Sequence, residues 1–324
     1  MSALAHAALW SGVAAMVALV AARLWRRHDP ALWNRVWVAM AAVSIALPAI
    51  NAVVPAARVI PVVSGAPAGP AEAWSAPVLS AELWTLVYVA GAACFGVRLV
   101  AGLLLVGRLR RASVPVDGAG LDYLRRVAGP AVPFVRTHRR VQVPLTAGWR
   151  EPVIILPETW VTWEPSRLAA IVRHELAHME RRDYGWNVLG AVYQALFWFS
   201  PAAWIVVRRI RLTAELAADR SASEAIDGIA YARILVESAR ELLDGRRSSV
   251  LAPGAATALD ARVAALMRPA VDQRPAASPW TRRMTAAAIV FVLLASAFVR
   301  LGSASSPAAT ADHDALHRVR HAHR

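Results

Sequence analysis

Lysine is absent from this 324-residue chain, and cysteine occurs once, at Cys94. One cysteine excludes an intrachain disulfide and a thiolate cluster, so any metal site here must be built from histidine and carboxylates. The net charge of +14 rests on 36 arginines. These sit on loops and helix ends and in no recognisable nucleic-acid motif, so no direct nucleic-acid partner is expected. Residues 1–20 also lack Arg and Lys, while Arg23, Arg26 and Arg27 follow them. That order is the reverse of a cleaved secretory signal and fits a retained helix.

Apolar sequence is abundant. Hydrophobic residues make up 57% of the chain and the mean hydropathy is +0.41, above the range of about 45–50% apolar residues usual for soluble proteins. Four runs are long enough for a hydrocarbon layer of about 30 Å, which takes about 20 helical residues: Ala3–Leu24, Val36–Val54, Leu83–Val106 and Met284–Leu301. The link between the first two holds Arg23, Arg26, Arg27 and Arg35, whereas the link between the second and third holds only Arg58. The positive-inside rule therefore makes the first link cytoplasmic and the second external. Both termini fall outside, and the segment between the third and fourth runs falls in the cytoplasm.

The expected organisation is a three-helix transmembrane region at 1–107, a cytoplasmic α/β domain at 108–283, a fourth transmembrane helix at 284–301 and a short extracytoplasmic tail at 302–324. Arg98, inside the third run, is close enough to the inner end to snorkel or to pair within the bundle. His313, His317 and His321 recur at helical spacing in the tail, but the Ala/Ser-rich surroundings suit a solvated terminus.

Within the cytoplasmic segment, the β-branched runs Val141–Pro144 and Val153–Leu156 read as strands. Glu164-Pro165 opens a helix, since proline is tolerated at a first helical position. The apolar stretch Val188–Val207 has arginines on both flanks and is interrupted by Tyr193-Gln194 and Ser200-Pro201. That pattern suits a helical hairpin, buried in the domain or dipping into the membrane, better than a single crossing.

The chemistry lies in His174-Glu175-Leu176-Ala177-His178. Histidines four apart on a helix lie one turn apart on one face and can share a zinc ion, with Glu175 placed beside it as general base. A catalytic zinc needs a third protein ligand. Glu215 is the candidate, on a helical segment whose Asp219, one turn on, can take the free N–H of a ligand histidine and fix its tautomer. The hairpin matters here because only a returning chain brings Glu215 to the histidines. Such a site hydrolyses peptide bonds without a covalent intermediate. The strand Val153–Leu156 is the expected edge for pairing an extended substrate.

The series Ala147-Gly148-Trp149-Arg150-Glu151-Pro152-Val153-Ile154-Ile155-Leu156-Pro157, the HExxH segment with Arg181-Arg182-Asp183 and Asn187, then Trp198-Phe199-Ser200-Pro201, Trp204, Arg208, Glu215 and Asp219 resembles the BlaR/MecR antirepressor family of bacterial membrane metallopeptidases. The resemblance implies a membrane protein, mainly α-helical, with four transmembrane helices and a gluzincin-like zinc protease domain between the third and fourth. It implies zinc on His174, His178 and Glu215, with Glu175 as base and Asp219 behind a ligand. It also implies signal transduction in the inner membrane, by cleavage of the protein itself or of a cytoplasmic winged-helix repressor of the BlaI type. Only a short tail follows the fourth run, so the penicillin-binding sensor domain of that family is not expected. Two other readings stay open: a general or quality-control membrane metalloprotease, and a non-catalytic receptor with a structural zinc.

Overall fold

The structure is a computed structural model. It describes residues 29–53, 58–62, 81–224, 226–245, 253–267 and 299–303, with isolated positions between 12 and 19. The described part is mainly helical. Of the run Ala3–Leu24, Gly12, Val13, Ala15, Met16 and Leu19 are described and are helical; the rest lies outside the described residues. So do residues 284–298 of the fourth run. The last three residues of that run belong instead to a strand, Val299–Ser303, which pairs in parallel with β1, Arg58–Val62. The three tail histidines also lie outside the described residues.

Two described helices are long and apolar enough to cross a bilayer: α1, Pro30–Val53, and α2, Ala81–Ala112. Their surroundings differ. Leu83, Trp84, Leu86, Val89, Val97 and Leu105 of α2 are exposed, a bare apolar surface that suits lipid. By contrast, α1 buries Trp33, Val36, Trp37, Met40 and Leu47 in a core shared with a helical hairpin.

That hairpin is α5, Asp183–Leu196, and α6, Pro201–Ser223, joined through Phe197–Ser200. The chain turns where Phe197 N–H bonds back to Tyr193 O and Ser200 N–H to Phe197 O, and Pro201 then opens α6. Proline at that place costs no helical hydrogen bond. Near the hairpin tip, the Trp198 indole donates to Tyr88 O of α2 (3.3 Å), and the Tyr88 hydroxyl donates to Leu196 O (3.2 Å). Gly91 makes this approach possible, because a Cβ there would run into the Trp198 ring.

The α/β part begins as α2 ends. A four-stranded sheet runs in the order β2-β3-β5-β4, with β2 Val114–Pro115, β3 Val135–Thr137, β4 Leu145–Ala147 and β5 Val153–Leu156. The β3–β5 pair is parallel and the other two pairs are antiparallel. All four residues of β5 are buried, as an unbroken apolar run requires of a central strand.

Two sequence expectations are corrected here. Val141–Pro144 is not a strand; the ladder starts at Leu145, after Pro144, which has no N–H to donate. Val141 instead closes a turn onto His138 O and packs its side chain on Val153 and Ile155. Nor is β5 the sheet edge, because β3 and β4 flank it and leave β4 as one border of the sheet.

Against one face of the sheet pack α3, Gly118–Ala128, and α4, Pro165–Glu180, burying Leu121, Leu124, Leu168 and Val172 on Ile154 and Leu156. The Asp117 carboxylate caps α3 by accepting from Gly120 N–H at 2.7 Å. Two further helices complete the described domain, α7 at Gly228–Gly245 and α8 at Pro253–Leu266.

Candidate metal centre

His174, Glu175 and His178 lie on α4, and Glu215 and Asp219 lie on α6; the structure brings all five together. His174 and His178 present their Nε2 atoms to each other at 3.1 Å. Glu215 spans them, with Oε2 3.6 Å from His174 Nε2 and Oε1 3.5 Å from His178 Nε2. One donor atom from each of the three residues falls within 4.8 Å of the others.

Each histidine is held from behind by a carboxylate. His178 Nδ1 lies 2.7 Å from Asp183 Oδ2, and His174 Nδ1 lies 3.1 Å from Asp219 Oδ1. An Nδ1–H donated to each carboxylate leaves both Nε2 atoms as lone pairs pointing at one spot. The two Nε2 atoms sit that close only around a cation: a metal ion or, in its absence, the proton that His174 then carries. The donor set of two imidazoles and one carboxylate therefore fits a metal ion of the zinc class.

Sequence reasoning missed the residues that hold this arrangement. Asp183 comes from the α4–α5 turn, where Arg182 takes a left-handed conformation (φ 57°) and reverses the chain. The Arg181 guanidinium ties the turn down by donating to Asp183 Oδ2 (2.7 Å) and to Ala214 O on α6 (3.1 Å). Tyr231 of α7 places its hydroxyl 3.0 Å from both Asp219 Oδ1 and His174 Nδ1. Arg262 of α8 grips Asp219 through Nε (2.7 Å) and Nη2 (2.6 Å), and reaches Glu215 Oε2 with Nη1 at 3.0 Å. Asp183 was recoverable in principle, lying close after His178 in an Arg-Arg-Asp sequence. Tyr231 and Arg262 carry no local signal.

The electrostatics follow from this packing. Burial opposes charge on His174, but Asp219 and Glu215 outweigh it and raise the imidazole to about 9 in the metal-free site. Burial likewise works against ionising Glu215 and Asp219, yet His174 and Arg262 hold both carboxylates below their ordinary range. Burial and the Asp219 charge push the Tyr231 hydroxyl well up, keeping it a neutral donor. Glu175 is buried, and one of its oxygens accepts from the Thr146 hydroxyl of β4 at 2.8 Å.

Residues 1–266 match the family model described as BlaR1 peptidase M56. Among curated proteins, the chain is 25% identical over 87 residues to the regulatory protein BlaR1 of Bacillus licheniformis, a stretch that makes up 27% of this chain and 14% of that protein. The chain belongs to the M56 family of membrane peptidases.

Proposed function

We propose that this M56 peptidase is a membrane-embedded zinc endopeptidase that transduces a signal by cleaving itself or a cytoplasmic transcriptional repressor. In this reading His174, His178 and Glu215 hold the zinc, and Glu175 is the general base. Asp219 and Asp183 orient the ligand histidines. The observation that carries it is the convergence of two Nε2 atoms and one carboxylate, with both Nδ1 atoms committed to carboxylates.

When bound, zinc supplies a Lewis acid for the scissile carbonyl and a water acidic enough to ionise near neutral pH. Glu175 takes a proton from water and delivers it to the departing amine, with the Thr146 hydroxyl, placed between Glu175 O and Oε2, holding the carboxylate. Because Thr146 lies on β4, the border strand sits beside the base and can pair an extended substrate segment.

The proposed topology keeps spans at 3–24, 36–54 and 83–106 and shortens the fourth to 284–298, ahead of the strand at 299–303; the peptidase domain at 108–283 is cytoplasmic except for the α5–α6 hairpin, whose tip meets Tyr88 near the outer end of the third span and so dips into the membrane. Arginine asymmetry supports it. The pairing of β1 with β6, Val299–Ser303, supports placing the second link and the start of the tail on one side. That the Bacillus relative is a regulatory protein supports signalling over general proteolysis.

The test is metal content and self- or repressor cleavage by the purified full chain beside Glu175→Gln and Glu215→Ala. Wild type should hold about one zinc, Glu215→Ala should lose most of it, and Glu175→Gln should keep it while cleavage falls by roughly 10²–10⁴-fold. Wild type without zinc, or Glu215→Ala with wild-type affinity, overturns the reading.

A further inference from the structure

Helix α6 has two working faces. One presents Glu215 and Asp219 to α4; the other buries Ala203, Val206, Val207 and Ile210 against Trp33, Trp37, Met40 and Leu47 of the apolar helix α1. Apolar contacts are not directional, and in lipid they do not by themselves fix how far one helix has slid along another. A hydrogen bond does. Asn34, buried on α1, donates from Nδ2 to Ile210 O at 2.7 Å and lies 3.3 Å from Thr213 Oγ1. The Thr213 hydroxyl is in turn committed to Arg209 O at 2.7 Å. Little more than one helical turn separates Ile210 from Glu215, and α6 runs without a break from Pro201 to Ser223.

We propose that Asn34 is a positioning residue for the metal centre: by pinning Ile210 and Thr213 it sets the register of α6 on the membrane helix, and so the place of Glu215 and Asp219 against His174 and His178. The inference deepens the metallopeptidase reading and rests on it. Its consequence is that the third ligand is referenced to a membrane span rather than to the peptidase sheet alone. A displacement of α1, whose outer end leads into β1, then reaches the ligand shell through one rigid helix.

The experiment measures zinc affinity by chelator competition and the visible spectrum of the cobalt-substituted protein, using the full chain in lipid nanodiscs. Asn34→Leu keeps the shape and removes the donor. Thr213→Val removes the second partner and serves if Asn34→Leu does not fold. Leu47→Ala, a truncation in the core of the same helix, controls for ordinary core damage. Asn34→Leu should lose about tenfold or more in zinc affinity, the scale seen when a group that orients a ligand is removed, and Thr213→Val, which leaves the Asn34–Ile210 bond in place, should lose less; both should shift the cobalt bands, and Leu47→Ala should do neither. The double variant should be no worse than the weaker single, because both act through one contact. Wild-type zinc affinity and cobalt bands in Asn34→Leu, or additive losses in the double variant, overturn the proposal while the metal site stands. Wild type that takes up no metal overturns both.

Discussion

The two histidines of the centre are held in opposite ways. His178 leans on Asp183, a few residues downstream in the turn that ends its own helix. His174 leans on Asp219 from another helix, and that carboxylate is held by Tyr231 of α7 and Arg262 of α8. One half of the site is thus assembled by local chain geometry, and the other by packing of four helices. The local half should survive disturbance of the distant helices, and the other half should not.

The largest expected effect is at Arg262. Replacing it with Met leaves Asp219 and Glu215 as close carboxylates with only the protonated His174 between them, and removing one partner of a buried charge network typically costs about 3–5 kcal/mol. Thermal unfolding of the metal-free chain should show that loss, with most of it recovered when zinc is added, since zinc replaces the missing positive charge. A loss under about 1 kcal/mol would mean that Arg262 is solvated rather than structural.

Next in size is the contrast between Asp219→Asn and Asp183→Asn. Each should weaken zinc binding by about 10–100-fold, with Asp219→Asn the worse because it also unseats Arg262 and Tyr231. If Asp183→Asn proves the more damaging, the local half carries the site and the comparison is reversed.

The pH dependence of metal uptake distinguishes the halves further. His174 is raised to about 9 in the metal-free site, above the ordinary imidazole value of about 6.5, so an entering metal must expel a proton at any pH below about 9. Affinity should climb with pH by up to about tenfold per unit through that window and then level off. The metal-free fold behaves oppositely: the contribution from protonated His174 is full below about 6.5 and is lost as pH rises through about 9. Cobalt titrations that level off near 6.5 would show that Asp219 and Glu215 do not act on His174 in this way.

The smallest effect is at Thr146→Val, which frees Glu175 from β4. Turnover should fall by about tenfold, the equivalent of one hydrogen bond of about 1–1.5 kcal/mol, while zinc affinity stays unchanged. A change in zinc affinity instead would place Thr146 with the ligands rather than the base.

Much of the local half was legible in the sequence. Val153–Leu156 reads as a strand because an apolar β-branched run between Pro152 and Pro157 has few alternatives, and Pro165 marks the start of α4. The spacing of His174 and His178 fixes their shared face once the segment is helical. Glu215 and Asp219 could be proposed only by assuming a hairpin, and their carboxylates meet the histidines because the chain turns at Phe197–Ser200. The edge strand was misassigned because hydrophobicity marks burial, and β5 is the most buried strand of the sheet; strand order is set by pairing partners far apart in the chain.

Sequence by itself determined the apolar character of the chain, the helix that pairs two histidines with a glutamate, and the metal-ligand chemistry open to a protein with one cysteine. Each depends on composition or on spacing within a few residues, where backbone geometry leaves little choice. Tertiary structure alone decided that Arg262 and Tyr231 hold Asp219, that β4 rather than β5 lies at the border, and that α1 packs along the helix that carries Glu215 and Asp219. Those contacts join residues 12 to 176 positions apart, and such groups meet only when whole helices pack.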